Sequence, residues 1–151
     1  CALPICVPVV HVAVRFRPGH PEVSPTGMFK MVRETNRLVE GTPGAEFHAS
    51  VAPHPGDVVV TKKRVSAFAG SDLDYILRAS GRTHLVLMGV ATSGVVLSTV
   101  RDAADLDFTM SVVRDCCADR EADVHAFLID RIFPRMAPAV TADEVVAAFQ
   151  V

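Results

Sequence analysis

Tryptophan is absent from the 151 residues, and tyrosine occurs once. Stacking on exposed aromatic side chains is therefore a poor candidate for the main mode of ligand binding. No apolar run approaches the ~20 residues that a membrane-spanning helix needs, so no membrane partner is expected. A surplus of one charge is missing too: 15 basic and 17 acidic residues leave a net charge of -2. That balance offers no electrostatic footprint for nucleic acid or for an anionic membrane surface. Nine glycines and ten prolines are too few for a fibrous or proline-rich scaffold.

Metal and redox signatures are equally sparse. The four cysteines, Cys1, Cys6, Cys116 and Cys117, form no CxxC pair. Adjacent cysteines such as Cys116 and Cys117 have poor geometry for a disulfide. Reduced thiols in a cytoplasmic protein are the expectation. The six histidines are scattered and make no HxxxH or HxH pair, so neither a metal nor any other cofactor is expected. His11 falls within a strand pattern and reads as a satisfied core residue. The glycines around Gly89–Gly94 lack the Lys-Ser/Thr ending of a phosphate-binding loop. The apolar start, Cys1-Ala-Leu-Pro-Ile-Cys-Val, has no basic leader and no small-residue cleavage site, which makes it a weak signal peptide.

What the chain does have is half its residues hydrophobic, arranged in short β-branched runs. Val7–Val14, Val58–Thr61, Leu85–Val90 and Met110–Val113 are nearly continuous. Such runs fit strands buried on both faces of a parallel sheet. Ala139–Thr141 reads as a short edge strand. Between them lie helical patterns. Ser71–Ala79 opens on Ser and Asp and places Leu73, Ile76 and Leu77 on one face. Ser93–Leu106 and Arg120–Ile132 repeat apolar residues at three-to-four spacing, and Pro134 should end the latter. Thr141-Ala-Asp-Glu144 has the form of a capping box. One short helix is expected around Met28–Leu38. This alternation predicts one domain over residues 1–151, a three-layer α/β/α sandwich with a mainly parallel sheet and right-handed crossovers.

Ligands of such sheets sit beyond the carboxyl ends of the strands. The tips to inspect are therefore Arg15–Gly19, Thr61–Phe68, Gly89–Gly94 and Arg114–Asp119. Lys62-Lys63-Arg64 is a solvated basic turn on the ordinary reading. On the functional one, Lys62 sits in a partly buried mouth and steadies a developing negative charge, with Ser66, Ala67 and Phe68 lining the cleft. Gly89-Val90-Ala91-Thr92-Ser93-Gly94-Val95 runs from strand into helix, so free N–H groups there can form an oxyanion hole.

Several ordered motifs join these tips. They are Lys62 with Ser66-Ala67-Phe68, Asp72-Leu73-Asp74 with Leu77-Arg78, Gly89-Val90-Ala91-Thr92, and Ser98-Thr99 with Arg101-Asp102-Ala103. Weaker matches are Arg17-Pro18-Gly19 with Pro21-Glu22, and Asp115 with Cys117-Ala118-Asp119. Together they resemble the isochorismatase-like (cysteine) hydrolase family, over roughly Pro8 to Ala148. The resemblance implies a doubly wound sheet of six parallel strands. It also implies a triad of an Asp on the first strand, a Lys after the third and a Cys at a helix start. The Lys carries over to Lys62. A cis peptide carries over to Val90–Ala91, with oxyanion donors on Ala91 and Val95 and substrate contacts at Ser66, Phe68 and Thr92. The family's Cys position is Val95, which has no nucleophile, so a covalent thiol mechanism is closed there. The family's Asp strand and the helix after it precede Val7–Val14, and six residues cannot supply them. That first strand is therefore expected to lie outside this sequence or to be replaced from elsewhere.

Three functions follow as expectations. The first is a hydrolase of a small amide, ester or vinyl-ether metabolite. The second is a non-catalytic binding or assembly module that keeps the fold. The third is a thiol protein using Cys116–Cys117. A small-molecule ligand and a homo-oligomer are what the resemblance implies for partners.

Overall fold

The computed structural model describes residues 7–150. Cys1 and Cys6 lie outside them. The β-branched runs form strands where expected: β1 (Val10–Val14), β2 (Val58–Lys62), β3 (His84–Val90), β4 (Thr109–Ala118) and β5 (Ala139–Val140). Every described ladder is parallel. β1 pairs with β2, Val10 opposite Val58. The other three strands run in the order β3-β4-β5. No ladder joins the pair to the trio among the described residues.

Helices alternate with the strands: α1 (Lys30–Glu34), α2 (Leu73–Ala79), α3 (Leu97–Asp105), α4 (Ala122–Phe127) and α5 (Ala142–Phe149). The result is an α/β sandwich. One core bridges the two strand groups, with Val60 of β2, Leu77 of α2, Val100 of α3 and Val112 of β4 in the same cluster. α5 starts on the capping box read from the sequence. Thr141 Oγ1 accepts from Glu144 N, and Glu144 Oε2 accepts from Thr141 N at 2.7 Å. No helix among the described residues is long and apolar enough to cross a membrane.

Four local expectations need correction. β4 runs on to Ala118, past the predicted Val113, because the chain bulges and then re-pairs. Leu87 faces Val112, yet Gly89 faces Cys117. Arg114–Ala118 is thus strand and not a loop tip, and polar Arg114 and Asp115 hid it. The predicted helix Ser93–Leu106 begins as a wide turn over Thr92–Val96, with Val96 N donating to Ala91 O, before α3 proper. The predicted Arg120–Ile132 helix likewise widens after α4, over Leu128–Ile132, and Pro134 lies within a tight last turn, Phe133–Arg135. His11 is half-buried and not in the core. It is satisfied by Asp57, with Nε2 3.0 Å from Oδ2.

Candidate active site

Lys62 is the last residue of β2, and only 6% of it is exposed. Its ammonium turns back on its own loop, donating to Arg64 O (2.6 Å) and Val65 O (2.8 Å). Burial pushes its pKa down to about 8. An ammonium has three donors, so one remains after those two carbonyls. The same loop is tied to α3 by a buried bond from Ala67 N to Thr99 Oγ1 at 2.9 Å. Ser66 is buried, and its hydroxyl accepts from Phe68 N.

The second tip lies between β3 and α3. Gly89 takes φ 140°, a conformation open to glycine. The Val90–Ala91 peptide is cis, at the place the resemblance implies. The Ala91 N–H makes no hydrogen bond among the described residues. Two side chains from the end of β4 and from α4 hold the turn. Asp119 Oδ2 accepts from Ser93 N at 2.6 Å, and that bond holds the Asp119 carboxyl below its ordinary range. Thr92, fully buried, shares a 2.8 Å hydrogen bond with His125 Nδ1. Val95 is half-buried and packs against the core cluster, and Val90 is 73% exposed.

The structure thus divides the residues that the sequence groups together. Ser66 lines a cleft of about 410 Å³ that opens toward residues 23–29. Phe68 points elsewhere: it stacks on Phe108 with ring centroids 5.8 Å apart, and it lines a smaller depression with Asp102 and Leu106. Thr92 is committed to His125. Lys62, Val90, Ala91 and Val95 line neither cleft. Of the two thiols described, Cys117 is buried and its pKa is raised by burial, which makes a poor nucleophile; Cys116 is exposed. No group of three or more potential metal ligands occurs among the described residues.

Sequence reasoning had no role for His125, Asp119 or Arg64. His125 was one of six scattered histidines, and Asp119 belonged only to a weak motif. Their significance depends on β4 and α4 coming back beside the turn, which no local pattern encodes. Arg64 was legible only as the third of three consecutive cations, without a role of its own.

The Isochorismatase domain model matches residues 6–144. A maleamate amidohydrolase of Pseudomonas putida is 37% identical over 118 residues, covering 78% of this chain and 54% of the relative. A ureidoacrylate amidohydrolase of Variovorax paradoxus is 39% identical over 103 residues, covering 65% of this chain and 41% of the relative. The chain therefore spans about half the length of the curated relatives it matches. Among solved structures, an isochorismatase family protein of Burkholderia thailandensis superposes with a TM-score of 0.84 at 32% identity, covering 96% of this chain and 75% of that one. An N-carbamoylsarcosine amidase of Thermoplasma acidophilum does so with a TM-score of 0.73 at 30% identity, covering 91% and 73%.

Proposed function

The chain belongs to the isochorismatase family, and from that premise we propose that it serves as a hydrolase acting on a small amide, ester or vinyl-ether metabolite. The observation that carries this reading is the held turn at Ala91–Val95. Asp119 and His125 fix it from outside, and the Ala91 N–H stays available to a developing oxyanion.

For an amide, water adds to the carbonyl carbon, the C–N bond breaks, and the amine leaves with a proton from the water. The carbonyl oxygen takes up negative charge on the way. Lys62, with a pKa near 8, is mostly protonated at neutral pH and keeps one donor for that charge. Val95 has no atom that can attack, so no thioester forms at that position and water is the nucleophile.

Val95 also favours a second reading. A hydrocarbon where the family resemblance implies a thiol suits a module that binds its ligand without turning it over. One experiment separates the two. The protein is incubated with maleamate and with ureidoacrylate, and ammonia release is followed beside calorimetric binding. The hydrolase reading expects release that falls about a hundredfold in Lys62→Ala, the scale of losing one group that stabilises the oxyanion. Binding with no release from the unmodified protein would support the module.

A further inference from the structure

The cleft beside Ser66 has a chemistry of its own. Its walls are partly apolar, with Val23, Phe29 and Val65 among them, and Ser66 and Ser98 add polar residues to the lining. Arg64 is the only ionisable residue in its lining. Two backbone carbonyls orient the guanidinium: Nη1 donates to Lys63 O at 2.7 Å and Nη2 to Glu22 O at 3.2 Å. Carbonyls fix its plane without cancelling its charge, and a guanidinium has five donors in all.

The carboxylates nearby each have a cationic partner, although the buried Glu22 Oε2 has no hydrogen-bond partner among the described residues. Glu22 pairs with Arg17 at 2.6 Å and approaches Lys63 at 3.7 Å, and Glu46 pairs with Arg15. Neither Lys62 nor Arg64 has a carboxylate partner among the described residues. This end of the molecule is therefore locally cationic, although the chain as a whole carries a net charge of -2. A fixed guanidinium, polar serines and apolar walls together complement a small organic acid. Walls this apolar suit a carboxylate on a hydrocarbon body better than a phosphate, which demands donors on every side.

We propose that this cleft binds a small monocarboxylate, with Arg64 as the anchor of the acid group. The proposal deepens the hydrolase reading, and it rests on that reading only for the claim that the bound acid is substrate. Ser98 stands one turn after Val95 and Ser66 four residues after Lys62, so the cleft borders both tips along the chain, although Lys62, Ala91 and Val95 are not in its lining.

The test compares benzoate with benzamide, its neutral counterpart of nearly the same shape, by titration calorimetry at low salt. Benzoate should bind at least tenfold more tightly, and 0.5 M NaCl should erase most of the difference. Arg64→Gln should bring the two ligands to equal affinity, and Arg64→Lys should keep part of the preference. Arg64 is exposed, so both variants should retain the thermal midpoint of the parent. Equal binding of both ligands by the parent protein, no benzoate binding at millimolar concentration, or a preference that survives Arg64→Gln would each overturn the proposal. Carboxylate binding without any ammonia release would leave this site standing and remove the hydrolase. Release from maleamate that is indifferent to Arg64→Gln would do the reverse.

Discussion

A buried ammonium that donates to two carbonyls of its own loop has conflicting demands on it. The hydrogen bonds favour the charged form of Lys62, and burial opposes it; burial prevails and brings the pKa to about 8. In the unfolded chain the amine returns to its ordinary value of 10.5. Between about 8 and 10.5 the unfolded state therefore holds more protons than the folded one. Lys62 makes stability rise with pH across that window. Urea midpoints of the parent and of Lys62→Met, measured from pH 7.5 upward, check this. The difference between them should shift in favour of the parent as pH rises, because all other titrating groups are common to both. A constant difference would mean that the amine is not desolvated. Lys62 itself could be read from the sequence, as a cation closing a β-branched run. The Thr92–His125 and Ser93–Asp119 contacts could not, since each joins positions 33 or 26 residues apart.

Elements were legible where one pattern ran unbroken. β1, β2 and the first half of β4 are continuous apolar runs, and α5 announces itself by a capping box that the structure contains. The second half of β4 was hidden because its bulge places Arg114 and Asp115 among strand residues. The wide turns at Thr92–Val96 and Leu128–Ile132 keep the apolar spacing of a helix while the backbone opens, so periodicity alone could not locate them. The loop after β2 is joined to α3 by the buried bond from Ala67 N to Thr99 Oγ1. Thr99→Val keeps the shape of the side chain but leaves the Ala67 N–H without an acceptor. An orphaned buried donor costs about 1–3 kcal/mol. At this chain length that lowers the thermal midpoint by roughly 2–4 °C per kcal/mol. Thr99→Ser keeps the hydroxyl and should lose much less. Thermal denaturation of both variants reads the difference, and equal losses would assign the effect to packing.

At the scale of the whole molecule, the division of the strands governs which parts open first. The trio β3-β4-β5 holds Met110, Val112 and Val113, all buried, and α3 packs beside it with Val100 and Ala103 fully enclosed. In β1 every residue is only half-buried, and β2 contributes one apolar side chain, Val60, to the fully buried core. Because no ladder links the pair to the trio among the described residues, β1 and β2 can separate from it by breaking side-chain packing and the Ala67–Thr99 hydrogen bond. Local opening needs least free energy where few buried apolar contacts must be lost. Backbone amides of His11 and Ala13, which point at β2, should therefore exchange with deuterium at least tenfold faster than those of Leu85, which points at β4, and Val112, which donates to Pro138 O, after correction for intrinsic rates. Native-state exchange followed by NMR or by mass spectrometry reads this directly. In rising sub-denaturing urea, β1 and β2 should join the global unfolding last. Equal protection in all five strands would show that packing through Val60 couples the two groups into a single cooperative unit, as a continuous ladder would.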